Sequence, residues 1–345
     1  MTELAGVTRN GVLVSEKEWQ THVESLRKVS STPDISAELS QAIRVRLEWA
    51  GGRRVGVFLS GGLDSALLAM LVKRELPAGL TAYAVGTEGA PDMLSAARAA
   101  EALGIPLKSQ VYSIDSAAGL CREAVRIIPQ KTNPVQVSIG MVVVAAARLA
   151  LADGCSVLFS GLGAEEIFAG YQRHVDAAQH PGDDPVNEEC WRGLSAMWGS
   201  DLMRDAALCR GLGFSALTPF LDAGVMAAAM QIPGKEKVRD GHRKWALRKL
   251  AEAAGLPAEF AWRRKQAAQY GSGFDRMLLE VARHEGFRNR NEYLESVTCE
   301  SHHSAALKGS HRDNPSTAGT DGPHANRHGN VFKWADLPRK DSPVV

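Results

Sequence analysis

Apolar positions along this 345-residue chain change period in a regular way. Over 35–50 they recur at helical spacing and stop at Gly51-Gly52, where a left-handed residue can close a helix. The unbroken run Val55-Gly56-Val57-Phe58-Leu59 reads as a buried strand, followed by a glycine turn and a helix through Leu67, Leu68, Met70 and Leu71. The alternation then repeats. Residues 80–86 read as a second strand, and Pro91-Asp92 opens a helix that runs to Leu103 and stops at Gly104. Residues 107–112 form a third strand, and 156–160 a fourth between Gly154 and Gly161. Strands alternating with helices predict an α/β fold with a parallel sheet covered on both faces. Such sheets bind ligands beyond the carboxyl ends of their strands, and the turns after Leu59, Val85 and Ser160 all fall there.

The pattern differs toward the two ends. Residues 1–34 are polar with weak periodicity and read as an N-terminal extension. The main domain is expected over 35–285, with a sheet half at 50–175 and a C-terminal helical half at 186–282, interrupted at Pro219, Pro233 and Pro257. Residues 300–345 hold few core-forming side chains and are expected to form a disordered tail. Its His302, His303 and His311 read as solvated polar residues, and Val331-Phe332-Lys333-Trp334 is its one apolar patch.

Composition narrows the function classes. Hydrophobic residues make up 45% and charged residues 23%, as in ordinary globular proteins. The net charge of +1 removes any general electrostatic case for nucleic acid or an anionic membrane. The five cysteines show no Cys-x-x-Cys pair, so isolated buried thiols in a reducing compartment are expected. Met1-Thr2-Glu3-Leu4 resembles neither a secretory nor a transit sequence, and no apolar run reaches the roughly 20 residues that span a bilayer. The stretch 141–152 is the most apolar and reads as a core helix. A cytoplasmic location follows as the expectation.

The candidate chemistry lies in two glycine turns. Ser60-Gly61-Gly62-Leu63-Asp64-Ser65 joins a strand to a helix start, where free N–H groups and the helix dipole favour a phosphate. It lacks the Lys-Ser/Thr ending of a Walker A loop, which argues against γ-phosphate transfer. The second turn, Ser160-Gly161-Leu162-Gly163-Ala164-Glu165-Glu166, carries two carboxylates into the first turn of a helix. Acidic residues suit a helix start for dipole reasons alone. At a phosphate-facing turn they also supply oxygen ligands for Mg²⁺, and Asp64 with Glu165 is the pair expected to do so.

The first loop resembles the Ser-Gly-Gly-x-Asp-Ser signature of the PP-loop ATP pyrophosphatases. The second, continued by Ile167-Phe168-Ala169-Gly170-Tyr171, resembles the Ser-Gly-Glu-Gly-Ser-Asp-Glu-x-Phe-x-Gly-Tyr element of the asparagine synthetase domain. Ala84-Val85-Gly86 with Ala90-Pro91-Asp92, Thr218-Pro219-Phe220-Leu221-Asp222, Lys244-Trp245-Ala246-Leu247-Arg248 and Trp262-Arg263-Arg264-Lys265 are similar to further elements of that family, in its order. The stretch that reaches Gln269-Tyr270-Gly271-Ser272 resembles most the stand-alone asparagine synthetase domain-containing proteins. The resemblance implies a Rossmann-like sheet of the adenine nucleotide alpha-hydrolase type and a ligase that uses ATP and Mg²⁺. Leu59, Ser60, Gly61, Gly62, Asp64 and Ser65 would hold the nucleotide at its pyrophosphate end. Val85, Ser160 and Gly161 would line the adenosine site, Asp64 and Glu165 would hold the metal, and Lys244 would neutralise phosphate charge. A substrate carboxylate, aspartate by default, would attack the α-phosphorus, and ammonia or another amine would then displace AMP.

The chain departs from the family's pattern at three points. Thr2 stands where the glutamine-dependent members carry a catalytic cysteine, and little chain precedes Arg53, so ammonia is expected free or from a separate glutaminase. Leu162 replaces the Glu assigned to the nucleophile half-reaction, and leucine neither accepts a proton nor orients an amine. No aspartate-holding Arg and Thr are placed between 127 and 143, where Lys131, Thr132 and Gln136 are the substitutes available. A glutamate at 165 in place of Asp keeps the metal-binding chemistry. Rival readings are another PP-loop enzyme acting on a different carboxylate or a tRNA base, and an ATP-binding regulatory protein without amidation activity. A homodimer is compatible with the sequence.

Overall fold

Val55-Gly56-Val57 is buried on both faces, and the strand it forms occupies the middle of a five-stranded parallel sheet. The computed structural model describes residues 7–9, 12–29, 34–182, 184–264 and 266–309, with side chains as far as 300. A short antiparallel hairpin, β1 (Thr8–Arg9) and β2 (Val12–Leu13), leads into α1 (Glu16–Leu26) and α2 (Ile35–Ala50). The alternating part follows: β3 (Val55–Phe58), α3 (Leu63–Glu75), β4 (Leu80–Thr87), α4 (Pro91–Leu103), β5 (Leu107–Tyr112), α5 (Ile114–Ile127), α6 (Pro134–Ala152) and β6 (Val157–Phe159). Short helices α7 (Ala164–Ile167) and α8 (Gln172–Ala177) precede α9 (Pro185–Ala196), α10 (Asp201–Leu212) and β7 (Ser215–Leu217). The rest is helical: α11 (Ala223–Gln231), α12 (Gly234–Lys237), α13 (Trp245–Ala253), α14 (Ala258–Ala261), α15 (Ala268–Gly271), α16 (Phe274–His284) and α17 (Arg290–Gly309).

The sheet order is β5-β4-β3-β6-β7, every pair parallel. Val55 lies opposite both Leu80 and Val157, and the neighbouring strands β3 and β6 end within one residue of each other. This register places the two glycine turns side by side. The expected helix limits at 35–50 and 91–103 are matched by α2 and α4, closed by Gly51 and Gly104 in the left-handed region.

Five features differ from the sequence reading. The N-terminal extension contains α1, fastened by a Ser15–Glu18 capping box and by Trp19, which is fully buried and donates from Nε1 to the Leu194 carbonyl at 2.9 Å. Its stripe of Trp19, Val23 and Leu26 is narrow and set among charged residues, which hides it in the pattern. The helical half contributes β7, three residues that are too few to show a period, and this strand completes the sheet beside β6. Helix α6 runs 19 residues at mean hydropathy 1.9, so by length and composition it could cross a bilayer, against the expectation of no such run. It packs on β4, α5, α10 and α16 with Val137, Met141, Val144 and Ala147 buried, as a core helix does. Cys121, Cys155, Cys190 and Cys209 are buried free thiols as expected, but Cys299 is exposed. Helix α17 continues to Gly309, past the tail boundary expected at 300; the remainder of that tail, with His311 and the Val331-Phe332-Lys333-Trp334 patch, lies outside the described residues.

Replacing Trp19 by Ala deletes a buried indole and its hydrogen bond, and is expected to destabilise the protein by roughly 3–5 kcal/mol in chemical denaturation.

Candidate active site

The turn after β3 is shaped by its own small residues. Gly62 caps α3 with no side chain, so no side-chain cap hydrogen bond covers the first-turn N–H groups. The Ser65 hydroxyl accepts from the Ser60 N–H at 3.2 Å and lies 3.2 Å from the Gly62 carbonyl, so the loop closes on the helix it starts. Gly61 has φ +68°, and a Cβ there would stand 2.3 Å from the backbone carbonyl carbon of Ser95. Only glycine fits so close to α4. Ser95 in turn donates from Oγ to the Gly61 carbonyl at 3.0 Å.

The turn after β6 is braced from the helical half. Gly163 has φ +96°, and a Cβ there would meet Leu221 Cδ2 at 2.5 Å. Leu221 belongs to Thr218-Pro219-Phe220-Leu221-Asp222, and buried Arg46 of α2 holds that segment. Its guanidinium donates to Asp222 Oδ2 at 2.9 Å and to the Thr218 carbonyl at 3.2 Å. The motif therefore supports the turn that aims Glu165.

Between the turns stands Lys244. It precedes α13 in a left-handed conformation, φ +57°, and its side chain is buried. Its Nζ donates to Asp64 Oδ2 at 2.5 Å and to Glu165 Oε1 at 2.6 Å. Burial disfavours the ammonium, but Asp64 and Glu165 together outweigh it and hold the group above its ordinary value. Gly170 makes the room: a Cβ there would lie 1.7 Å from Glu165 Oε2 and 2.4 Å from Lys244 Cε.

Leu59, Ser60, Gly62, Asp64, Ser65, Val85, Ser160, Gly161, Glu165 and Lys244 all line one cavity of about 310 Å³. Gly61 does not line it; this residue serves the turn beneath. Leu162 lines the same cavity as a half-buried apolar side chain. Of the suggested stand-ins for an aspartate clamp, Gln136 accepts from Arg204 at 2.8 Å, whereas Lys131 and Thr132 are not among the lining residues. The sequence reading passed over Arg263, which ties two parts of the site together. It donates to the Ser60 carbonyl at 2.9 Å and to Asp92 Oδ1 at 2.8 Å. Arg248 holds the same segment by donating to the Ala261 carbonyl at 2.6 Å. Both arginines lie in quoted motifs, but no local pattern shows where their side chains reach. Lys265 lies outside the described residues.

The donor set suits a divalent cation that nucleotide phosphates help to bind. Two carboxylates from facing turns converge beside one ammonium, and their oxygens are the hard donors that such a cation takes. Among the described residues no group of three or more His, Cys, Asp and Glu converges, so phosphate oxygens and water would complete the shell.

Similarity to known proteins agrees with this geometry. The family model described as asparagine synthase matches residues 34–180 and 175–317. The chain belongs to the asparagine synthase family. A Methanocaldococcus jannaschii protein named as a glutamine-hydrolyzing asparagine synthetase is 29% identical over 278 residues, covering 71% of this chain and 51% of that protein. The glutamine-hydrolyzing asparagine synthetase of Rattus norvegicus is 29% identical over 240 residues, covering 67% and 42%. This member of the family thus spans about half the length of the curated relatives it matches. Among solved structures, an NAD⁺ synthetase from Burkholderia pseudomallei shows a slight likeness, with TM-score 0.32 and 17% identity over 78% of this chain and 96% of that one.

Glu166, next to the metal-site candidate, is buried and accepts from the Tyr171 hydroxyl at 2.7 Å. Burial, reinforced by the Asp201 charge, pushes its carboxyl up to about 7. A raised carboxyl means that the folded state binds more protons than the unfolded chain between the ordinary value of 4.5 and about 7, so stability falls as pH rises through that window. Replacing Glu166 by Gln is expected to remove this slope. The variant should gain on the native chain by about 1.4 kcal/mol per pH unit between pH 5 and 7, read as denaturation midpoints.

Proposed function

We propose that this chain is an ATP-dependent carbon–nitrogen ligase of the asparagine synthase type, which adenylates a carboxylate and passes the acyl group to an amine. The observation that carries the reading is the meeting of Asp64, Glu165 and Lys244 from three separate segments beside a glycine loop that opens a helix. Family membership supports ATP as the substrate and aspartate with ammonia as the default pair to be joined.

In this reading the Ser60–Ser65 loop and the first-turn N–H groups of α3 hold the departing pyrophosphate, while Val85, Ser160 and Gly161 flank the adenosine. A substrate carboxylate oxygen attacks the α-phosphorus, the bond to pyrophosphate breaks, and an acyl-adenylate forms. Catalysis then rests on positioning and charge neutralisation rather than on a protein nucleophile. Mg²⁺, held by Asp64 and Glu165 with the phosphates, would supply neutralising charge. Lys244 is placed to trade its carboxylate contacts for phosphate oxygens, and the Arg263–Asp92 pair keeps the loop at its station. Amine attack on the acyl carbon expels AMP. Leu162 offers no proton acceptor at that step, so the chain relies on groups elsewhere to receive the amine. Free ammonia or a separate glutaminase would be the source for an ammonia-using enzyme.

The test is ATP–pyrophosphate exchange across carboxylic acids, aspartate first. Exchange and AMP formation are expected, and Asp64→Asn should lower both about 100-fold. ADP with phosphate as the only products would overturn the assignment.

A further inference from the structure

Two further cavities are lined by chain neighbours of the site's residues. One, of about 450 Å³, adjoins the first, with Ile139, Arg204 and Ala268 lining both, and belongs with the active site. The other, of about 600 Å³, shares no lining residue with the first, yet its wall is joined to the Asp64–Glu165–Lys244 cluster through the backbone. Trp245 follows Lys244 directly, and Phe168 stands two residues before Gly170, which packs on Glu165 and Lys244. Among the described residues three non-glycine residues have positive φ, and each adjoins a residue that lines this cavity. Ala169 (φ +59°) is next to Phe168, Asp240 (φ +51°) is next to Arg239, and Lys244 (φ +57°) is next to Trp245. Such backbone persists only where its surroundings hold it. Phe168 also meets Phe220 edge-on at 6.3 Å, within the segment that braces Gly163.

The lining divides by chemistry. Ile35, Phe168, Ile232, Trp245 and Leu250 are apolar and none of them is exposed. Lys235, Arg239 and Lys249 are exposed cations, set against the one carboxylate of Glu236. Arg239 meets Asp240 only at 3.6 Å, and Lys249 pairs with Glu252 at 2.8 Å, both largely exposed pairs of the kind that water and salt weaken. A ligand with an apolar body and an anionic head complements both parts. Its body leaves water for apolar surroundings, and its head gains charge-assisted hydrogen bonds. We propose that this cavity binds a small organic carboxylate with an apolar body, and that its occupancy tightens Mg-ATP binding at the cluster. The body packs against Phe168 and Trp245, and the carboxylate sits among Lys235, Arg239 and Lys249. A ligand shifts an equilibrium only by binding one arrangement better than another, and contact with both aromatic residues favours the left-handed backbone beside them. That backbone is the one in which Glu165 and Lys244 meet. The coupling is reciprocal, so Mg-ATP tightens the carboxylate in turn. Binding in this cavity goes beyond the ligase reading and does not depend on it.

The experiment titrates octanoate and naphthalene carboxylate, each alone, into the full chain and measures binding by calorimetry, with folding of each variant checked by circular dichroism. The two acids distinguish an aliphatic body from an aromatic one. At least one is expected to bind at about 1 mM or tighter, and the matching neutral alcohol about tenfold more weakly. Lys235→Glu at the charged rim and Leu250→Trp in the apolar floor should each weaken binding about tenfold. Lys235 is exposed, so its substitution tests the site even where Leu250→Trp disturbs folding. With the acid saturating, the Kd of Mg-ATP should fall about fivefold, and Mg-ATP should lower the Kd of the acid by the same factor. Absence of binding by both acids, binding that survives either substitution in a folded variant, or binding that leaves the affinity for Mg-ATP unchanged overturns the proposal. ATP–pyrophosphate exchange on the native chain separates the two failures. Its loss, with acid binding and coupling to Mg-ATP intact, removes the ligase reading alone, whereas exchange without acid binding removes only this one.

Discussion

One buried ammonium between two carboxylates organises this molecule. Asp64 begins a helix after the central strand, Glu165 begins another after its neighbour, and Lys244 arrives from far along the chain. Each would be costly alone in a buried setting, since an isolated charge loses its hydration without recompense. Together they hold three segments in one place. The mutual pairing offsets the cost of burying each charge.

That cluster depends on close packing behind it. Gly163 yields to Leu221, Gly170 yields to Glu165 and Lys244, and Gly61 yields to the backbone of α4. At each point a methyl group would occupy space already taken, and interiors packed to this density do not absorb such an intrusion without moving their neighbours. Arg46, Arg248 and Arg263 then fasten the supporting loops by donating to backbone carbonyls, and Arg46 and Arg263 donate to acids as well. A planar guanidinium with several donors suits that task better than an ammonium does. The left-handed backbone at Lys244 belongs to the same pattern, because a non-glycine residue persists there only where its surroundings hold it.

The two adjoining cavities give the second glycine turn a double role. Glu165 and Glu166, one residue apart on a single helical turn, line two adjoining cavities. Leu162 forms part of the wall of the first of these, while Glu166, Asp201 and Arg204 line the other.

Much of this was legible in the residues because it is local. Strand–turn–helix alternation, the helix ends at Gly51 and Gly104, and the two glycine loops depend on neighbours within a few positions, and period and turn chemistry report such neighbours directly. Motif order likewise pointed to Asp64, Glu165 and Lys244. What the one-dimensional pattern could not carry was anything made by distant contact. Helix α1 is held by Trp19 reaching Leu194, and β7 is a strand because β6 lies beside it. Arg263 acts on the Ser60–Ser65 loop through a hydrogen bond to Ser60, and the cavity lined by Glu166, Asp201 and Arg204 exists only where α6, α7, α9 and α10 meet. The chain by itself determined its elements and the chemistry at the strand ends, because those follow from local geometry and side-chain type. Tertiary structure decided which of those groups share a space, because burial and long-range pairing exist only after the chain has closed on itself.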